Sequence, residues 1–532
     1  MRTIRDPRQK LMFDPFLDIL SPLAYKTLRD GWQQLFRETL LEIMPVDAVK
    51  QHFSAECGPP TKELHSAAAL IFIMEFMDWT AGDAARAYMF NADLHYALNL
   101  RPELQSMSSR TVERYKRLMI EDELAAQVMD SVTALLIEKL QLNVEKQRLD
   151  STHIESNMAQ FGRTRMMGVA VKRFLTQLKR HDLVSYDQLE DELRERYIRS
   201  SHMLFGDAKK DSESHRLLRE QVARDMHQLI KRFDDDPNHN TRSTYRMLCT
   251  IFDQQCEVAS DKITVKTHPG GDTVQNSSDP DATRDGKKGP GYQLQLAETC
   301  SDENDVQLIT VAIPQTASEH DANAIEPVID ALKQNDMVPE EMSADTAYGG
   351  DENVQRCEAE GIELVSPTPG KKPEDAYSIN SDDFVIDEST GECTSCPCGN
   401  KPLETRRNDA KQETVVIFSG EDCEECEHAS SCPAKAGRDG NYTVRFTDKQ
   451  RRLDARRREE DTDVFRERYR IRAGIEATNS IAKRVTGLAR LRVRGRPSVF
   501  HSSVSKILGH NIFQAVRGLV MRRRSQKRLA FA

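Results

Sequence analysis

Between about residues 61 and 140 apolar positions, Leu64, Ala68, Ile71 and Met74 to Phe76 among them, recur at helical spacing. Two shorter stretches, DWTAGDAARAYMF (78–90) and SMSSRTVERYKRLM (106–119), read as helices opened by Thr or Ser caps. The pattern then changes to alternation in VEKQRLDSTHIESNM (144–158), which predicts a strand. Helical spacing returns over 161–256, where Leu218, Val222, Met226, Leu229 and Phe233 line one face. A loop at 268–291 precedes two alternating runs, GYQLQLAETC (291–300) and VQLITVAIPQT (306–316), joined by the polar SDEND and read as paired strands. A helix over about 319–336, a strand ending at MSADTAYGG (342–350) and a strand IELVSP (362–367) follow. Residues 371–448 read as irregular, and about 449–486 as a long Arg-rich helical segment.

With the two insertions set aside, this order predicts an α/β fold with a mixed central sheet flanked by helices. The expected organisation is an arm and linker over 1–60, ending at CGPP, then a helical domain over 61–143. A catalytic region spans 144–490, interrupted by a helical insertion at 161–256 and a Cys-rich insertion at 371–448, and a basic tail covers 491–532. The Ser/Thr cap followed by Arg110, Arg114, Lys116 and Arg117 is what a DNA-reading helix would show, and equally what a solvated helix shows.

At 532 residues the chain is too long for one ordinary core. Its longest apolar run, AAALIFIM (67–74), is too short to span a bilayer, and MRTIRDPRQK lacks the apolar region of a signal peptide, so a cytoplasmic location with no membrane partner is expected. The net charge of −10 argues against a partner as acidic as DNA, but it conceals a segregation. Residues 451–532 hold 22 Lys and Arg against 7 Asp and Glu, leaving −25 for the rest. Because fields are screened within about 10 Å, local charge governs contact with phosphates, and this segment predicts a nucleic-acid surface.

Within it, YRIRAGIEATNSIAK (469–483) places Tyr469, Arg472, Glu476 and Lys483 on one helical stripe. Such stripes are usually apolar; here two cations, a carboxylate and a phenol form either a solvated face or the lining of a site for an anion. Asp150 and Asp345 are expected where strands run out, where ligands gather in α/β sheets. Three converging carboxylates repel one another unless a hard cation such as Mg²⁺ joins them, and paired ions of that kind support in-line phosphoryl transfer. Any one of these acids alone reads as a cap, turn or surface charge.

These residues resemble those of the DDE transposases of bacterial insertion sequences, in the IS-four superfamily and its IS-eleven-eighty-two-like branch. That group's acidic helix carries Y-x2-R-x3-E-x6-K, matched by Tyr469, Arg472, Glu476 and Lys483 without a gap; LDSTHIESNM and SADTAYGG resemble the segments around its first and second Asp. DPDATRDGKKGPGYQLQLAETC (279–300) is also similar to a family stretch, and the resemblance covers roughly 60–490. It implies an RNase H-like core, with Mg²⁺ (or Mn²⁺) held by Asp150, Asp345 and Glu476 and terminal DNA phosphates held by Tyr469, Arg472 and Lys483. The implied activity is cleavage at terminal inverted repeats and joining of the 3′-hydroxyls to target DNA, by a homodimer or higher homo-oligomer. The alternatives are a non-catalytic zinc-containing DNA-binding regulator and an RNase H-like nuclease that cuts without joining.

Six of the eleven cysteines fall between 393 and 432, as C-T-S-C-P-C-G followed by Cys423, Cys426 and Cys432. A tetrahedral structural Zn²⁺ site needs four ligands, commonly in two close pairs. Cys396, Cys423, Cys426 and Cys432 are the expected set, with Cys396 chosen because CPCG resembles a CP-x-G of related transposases. Cys393 and Cys396 with Cys423 and Cys426 form the alternative; which of Cys393, Cys396 and Cys398 take part stays open, as do free thiols. His153 reads as a hydrogen-bonding support beside Asp150 or a ligand, Tyr348 as turn packing or a base-stacking ring, and MRRRSQKR (521–528) as a disordered phosphate-binding arm or a solvated terminus.

Overall fold

A computed structural model describes the chain except for residues 10–11, 102–104, 159–160, 207–211, 261, 371–378, 388 and 532. The first eight residues of the expected Cys-rich insertion therefore lie outside the described residues. The central sheet is built from β1 (Lys146–Glu155), β2 (Gly289–Thr299), β3 (Ile309–Thr316), β4 (Glu341–Ala344) and β5 (Glu363–Val365). Their order across the sheet is β3-β2-β1-β4-β5, and a short strand, Thr283–Asp285, pairs with the start of β2. β2 runs antiparallel to both β1 and β3, as the hairpin pattern requires, while β1, β4 and β5 are parallel. The mixed α/β sheet expected from the alternation is present.

Each face of the sheet is covered by helices because each strand places alternate side chains on opposite sides. Leu149, Ala297, Val311, Met342 and Ala344 pack against α8 (Ile325–Gln334) and α9 (Asp351–Ala359). Ile154, Leu294, Leu296 and Ile309 join the larger core on the other side, made with the N-terminal helices α1 (Leu64–Phe76) to α4 (Leu124–Leu140) and with α13 (Arg496–Phe531). Between these come α2 (Ala81–Phe90) and α3 (Ser109–Glu121).

The basic tail expected over 491–532 is replaced by α13, a 36-residue helix whose Val499, Val504, Ile507, Leu508, Ile512 and Ala515 are buried. These recur at helical spacing, and each fully buried aliphatic side chain contributes about 1.5–3 kcal/mol of burial. α13 crosses α1 so closely that a Cβ on Gly509 would lie 2.0 Å from Phe76 Cβ. Asn511 spans both backbone groups of Ile309, accepting from its N–H at 2.9 Å and donating to its carbonyl at 2.7 Å, beside the irregularity in the β2–β3 pairing. Lys506, 1 % exposed, donates to Glu75 O, Asp78 Oδ1 and Thr486 O, tying three segments together. The helices over 61–143 therefore share one core with the sheet.

The insertion after β1 is helical, as expected, with α5 (Arg163–His181), α6 (Ser212–Phe233) and α7 (Ser243–Gln255) around their own core. Val222, Met226, Leu229 and Phe233 are buried there and Leu218 is partly so. A hairpin, Cys256–Ala259 with Lys262–Val265, completes it.

The second insertion departs from the irregular reading. Glu404–Asn408, Glu413–Phe418, Tyr442–Thr447 and Lys435–Ala436 form an antiparallel sheet, and Phe384, Cys393, Val416, Phe418, Val444 and Phe446 form its core. ETVVIF and YTVRFT carry the period-two alternation of half-buried strands.

Candidate active site

β1 and β4 pair in parallel from Lys146↔Glu341 to Leu149↔Ala344, and Asp150 and Asp345 are the next residues of each strand. Asp150 was expected at a strand end but lies inside β1, which continues to Glu155 against β2; only the pairing with β4 stops before it. The two carboxylates thus flank the point where two parallel strands part. Asp345 caps the short turn that follows, accepting from Thr346 N–H.

The expected long helix over 449–486 is three helices: α10 (Asp448–Glu460), α11 (Asp463–Arg470) and α12 (Gly474–Thr486). Tyr469 lies in α11, Arg472 in the tight turn Ile471–Ala473, and Glu476 and Lys483 on α12. The turn keeps right-handed helical φ and ψ, so the stripe survives the break.

One guanidinium joins the three acids. Arg472 Nη2 lies 3.5 Å from Asp150 Oδ1 and 3.7 Å from Asp345 Oδ2, and Nη1 lies 3.3 Å from Glu476 Oε1. Asp150 is the enclosed member at 14 % side-chain exposure, against 46 % for Asp345 and 66 % for Glu476, so the cluster opens on the Glu476 side. Burial holds the Asp150 carboxyl above the usual carboxylate range despite the pull of Arg472, with Asp345 pushing the same way. Asn479 Nδ2 donates to Asp150 Oδ2 at 3.2 Å.

The remaining stripe residues surround this cluster. Tyr469 stacks on Phe465 with ring centroids 5.9 Å apart, and burial raises its phenol, with Arg472 opposing. Lys483 shares an open depression of about 460 Å³ with Glu476, Asn479, Ser480 and Arg484; burial, then repulsion from Lys288, lowers its ammonium. His153 Nε2 is buried without a hydrogen-bond partner among the described residues, and burial lowers that ring's pKa. Tyr348 is fully buried, its hydroxyl donating to Gln295 Oε1 at 2.5 Å, which leaves the packing reading and removes base stacking.

A buried pair holding α12 to the sheet escaped the sequence reading. Arg148 and Glu298 face each other across β1 and β2. Arg148 Nε donates to Glu298 Oε2 at 2.7 Å, Thr478 Oγ1 donates to Glu298 Oε1 at 2.7 Å, and Arg148 Nη1 donates to Ile471 O at 3.0 Å. Gly474 permits the approach, since a Cβ there would lie 1.9 Å from Arg148 Nη1. The available signal was the lone charge, Glu298, in the apolar stretch QLQLAET of β2; Arg148 lies among other charged residues of β1 and gave none.

Much of the basic surplus after residue 451 is occupied within the chain. Arg452 pairs with Asp351 at 2.8 Å, Arg456 donates to Gly349 O and Ser366 O, and Arg468 holds Glu341 and Glu363. Arg492 pairs with Asp78 and Arg522 with Asp305. In α3 the Ser108 cap forms, but Lys116 pairs with buried Glu75 at 2.5 Å and Arg114 covers the Phe53 ring. The expected nucleic-acid surface shrinks accordingly to fewer cations.

Among the described residues, no three His, Cys, Asp or Glu side chains are already arranged to hold a metal ion. The acids nonetheless fit a hard divalent cation by donor type and convergence: three carboxylates from different elements lie within 4 Å of one cationic group. In the second insertion Cys398 Sγ lies 3.2 Å from Cys426 Sγ. That contact pushes the Cys398 thiol up to about 12, and burial with Cys432, Cys396 and Cys426 pushes Cys423 up to about 11. The thiols of Cys396, Cys398, Cys423, Cys426 and Cys432 thus oppose one another's ionisation. Cys393 instead enters the small core and donates to Ser395 O at 3.5 Å.

A family model described as a transposase DDE domain matches residues 395–516, less than a quarter of the chain. The match includes Tyr469, Arg472, Glu476 and Lys483 and runs into the buried part of α13, beyond the 490 expected from the resemblance. No curated protein and no solved structure matches. The matched segment supports reading the chain as a DDE transposase.

Proposed function

We propose that the chain is a DNA transposase that binds the terminal inverted repeats of an insertion sequence, cleaves the element ends and joins the 3′-hydroxyls to target DNA. The observation that carries this reading is the convergence of Asp150, Asp345 and Glu476 on Arg472, with Lys483 on the same open depression. The sheet order, with its antiparallel β1–β2–β3 and parallel β1–β4–β5, also supports an RNase H-like core.

Asp150, Asp345 and Glu476 are the residues that would hold Mg²⁺ or Mn²⁺. A divalent cation bound there activates an attacking oxygen and stabilises the leaving one. Asp150 is preorganised by Asn479, while exposed Glu476 closes the set from α12. Arg472 is the counter-charge among the three carboxylates, and with a cation held there it would be available to a phosphate. Lys483 and Tyr469 flank it as phosphate contacts, and Lys483 has a desolvated ammonium suited to a charge-assisted bond. Cys396, Cys423, Cys426 and Cys432 are the residues that would hold a structural zinc in the second insertion, and Cys398, beside Cys426, would compete for one position.

The test is Glu476→Gln in a cleavage and joining assay with Mg²⁺ or Mn²⁺, using labelled duplexes taken from the DNA flanking the gene. The variant keeps its thermal stability, because the residue is exposed, and loses roughly 10²-fold or more of both reactions. Retained joining refutes the assignment. Cleavage without joining by the unmodified chain favours a stand-alone nuclease, and binding without either favours a regulator.

A further inference from the structure

The helical insertion carries a basic groove outside the carboxylate site. Arg163 at the start of α5, Arg216, Arg219 and Arg224 on α6, and Lys262 and Lys266 on the hairpin line an open cavity of about 760 Å³. Among the described residues Glu220 is its one acidic lining residue, and it pairs with Arg216 at 2.8 Å. Four of the other cations donate to neutral acceptors: Arg163 to Gln255, Arg219 to Thr164 Oγ1, Arg224 to Gln221 Oε1 and Lys266 to Asp253 O. Arg219 and Arg163 sit close enough for one to lower the other's pKa, after burial.

Keeping like charges this close costs stability, and the core of the insertion does not require it, since α6 buries its opposite face through Val222, Met226 and Leu229. A polyanion relieves the repulsion. From Arg216 to Arg224 the helix rises about 12 Å, a length over which one DNA strand carries three or four phosphates. The insertion is also rooted beside the carboxylate site. It leaves β1 at Glu155 and returns to β2 at Gly289, next to Lys288, whose charge acts on Asp150, His153 and Lys483.

We infer that this groove is a second DNA-backbone site, which holds the duplex where it continues past the phosphates at Lys483. The inference rests on the DNA reading above and adds a surface that the carboxylate site does not need for chemistry.

The test uses the full chain with Arg219→Gln, Arg224→Gln and Lys262→Gln combined, and a milder variant with only the exposed Arg224→Gln and Lys262→Gln. Binding is measured against salt on a short duplex that covers the cleavage site alone and on a longer one. Affinity for the long duplex is expected to fall tenfold or more in the triple variant and less in the double. Its salt slope should drop by about 2 to 3, at about 0.9 per lost phosphate contact. Short-duplex binding and cleavage stay as in the parent, and lysines at the two arginine positions restore the slope. Long-duplex affinity and slope equal to the parent's overturn the groove, as does an equal loss on both duplexes or competition by polyglutamate as effective as by DNA. Lys483→Ala separates the two readings: if it leaves short-duplex binding intact while the groove variants lose the long duplex, the carboxylate-site reading fails and the groove stands.

Discussion

Glu298→Gln isolates the buried pair beneath the candidate site. The substitution preserves shape and one acceptor but removes the charge that neutralises Arg148, whose side chain is only 11 % exposed. Breaking a buried pair by removing one partner costs about 3–5 kcal/mol, and the retained amide oxygen places this case near about 3 kcal/mol. Taking about 2.1 cal/mol/K per residue over the 532-residue chain gives an unfolding entropy of about 1.1 kcal/mol/K, hence a fall in Tm of about 3 °C, and more if a smaller unit melts. Burial already raises the Glu298 carboxyl above its ordinary range despite Arg148, so the ion pair itself adds little over apolar contacts. The double variant Arg148→Met with Glu298→Leu should therefore melt above the single variant. It should still lose cleavage, because Arg148 no longer holds Ile471 O and the Arg472 turn is released. The assay is scanning calorimetry beside Mg²⁺-dependent cleavage. An unchanged Tm in Glu298→Gln, or a double variant less stable than the single, refutes the reasoning; full cleavage by the double variant refutes the positioning role.

Three further outcomes are expected. Burial lowers His501 and His510 to about 4, so their folded forms stay neutral while unfolded histidine protonates near pH 6.5. The unfolded chain then binds more protons between those values, stability is present above pH 6.5 and falls as pH drops, and each histidine removes about 2 kcal/mol by pH 5; denaturation at both pH values checks this, and His501→Gln should remove about half of the slope. Lys483→Ala should weaken binding to the element end and reduce the salt slope by about 1, read by fluorescence anisotropy across a salt series. Purified protein should carry close to one zinc per chain by elemental analysis, lost in Cys423→Ser but kept in Cys393→Ser, whose thiol lies in the small core.

The sheet and most helices were legible because their signals are local. GYQLQLAETC and VQLITVAIPQT alternate cleanly, and Leu218 to Phe233 repeats at helical spacing. The stripe from Tyr469 to Lys483 was also local, though the break at Ile471–Ala473 was not, since the turn keeps helical dihedrals and leaves no compositional trace. What sequence could not supply is the partner of each charge. Arg452, Arg468 and Arg492 read as free cations until the fold brings acids from 78 to 363 against them. The same limit hid Arg148 and Glu298, 150 residues apart. α13 was missed for another reason: the charged end at 521–528 dominates the segment's composition and masks the apolar spacing from Val499 to Ala515.

α13 also imposes an order on synthesis. The core that seats the sheet is closed by residues 499–515, which leave the ribosome after every residue of the candidate site. Asn511 and Lys506 then bind groups that the chain made some 200 and 430 residues earlier. A product that stops short of this helix contains every candidate catalytic side chain but lacks the element that holds β3 and α1 in place. A chain that stops before this helix is therefore expected not to bring the carboxylate cluster together.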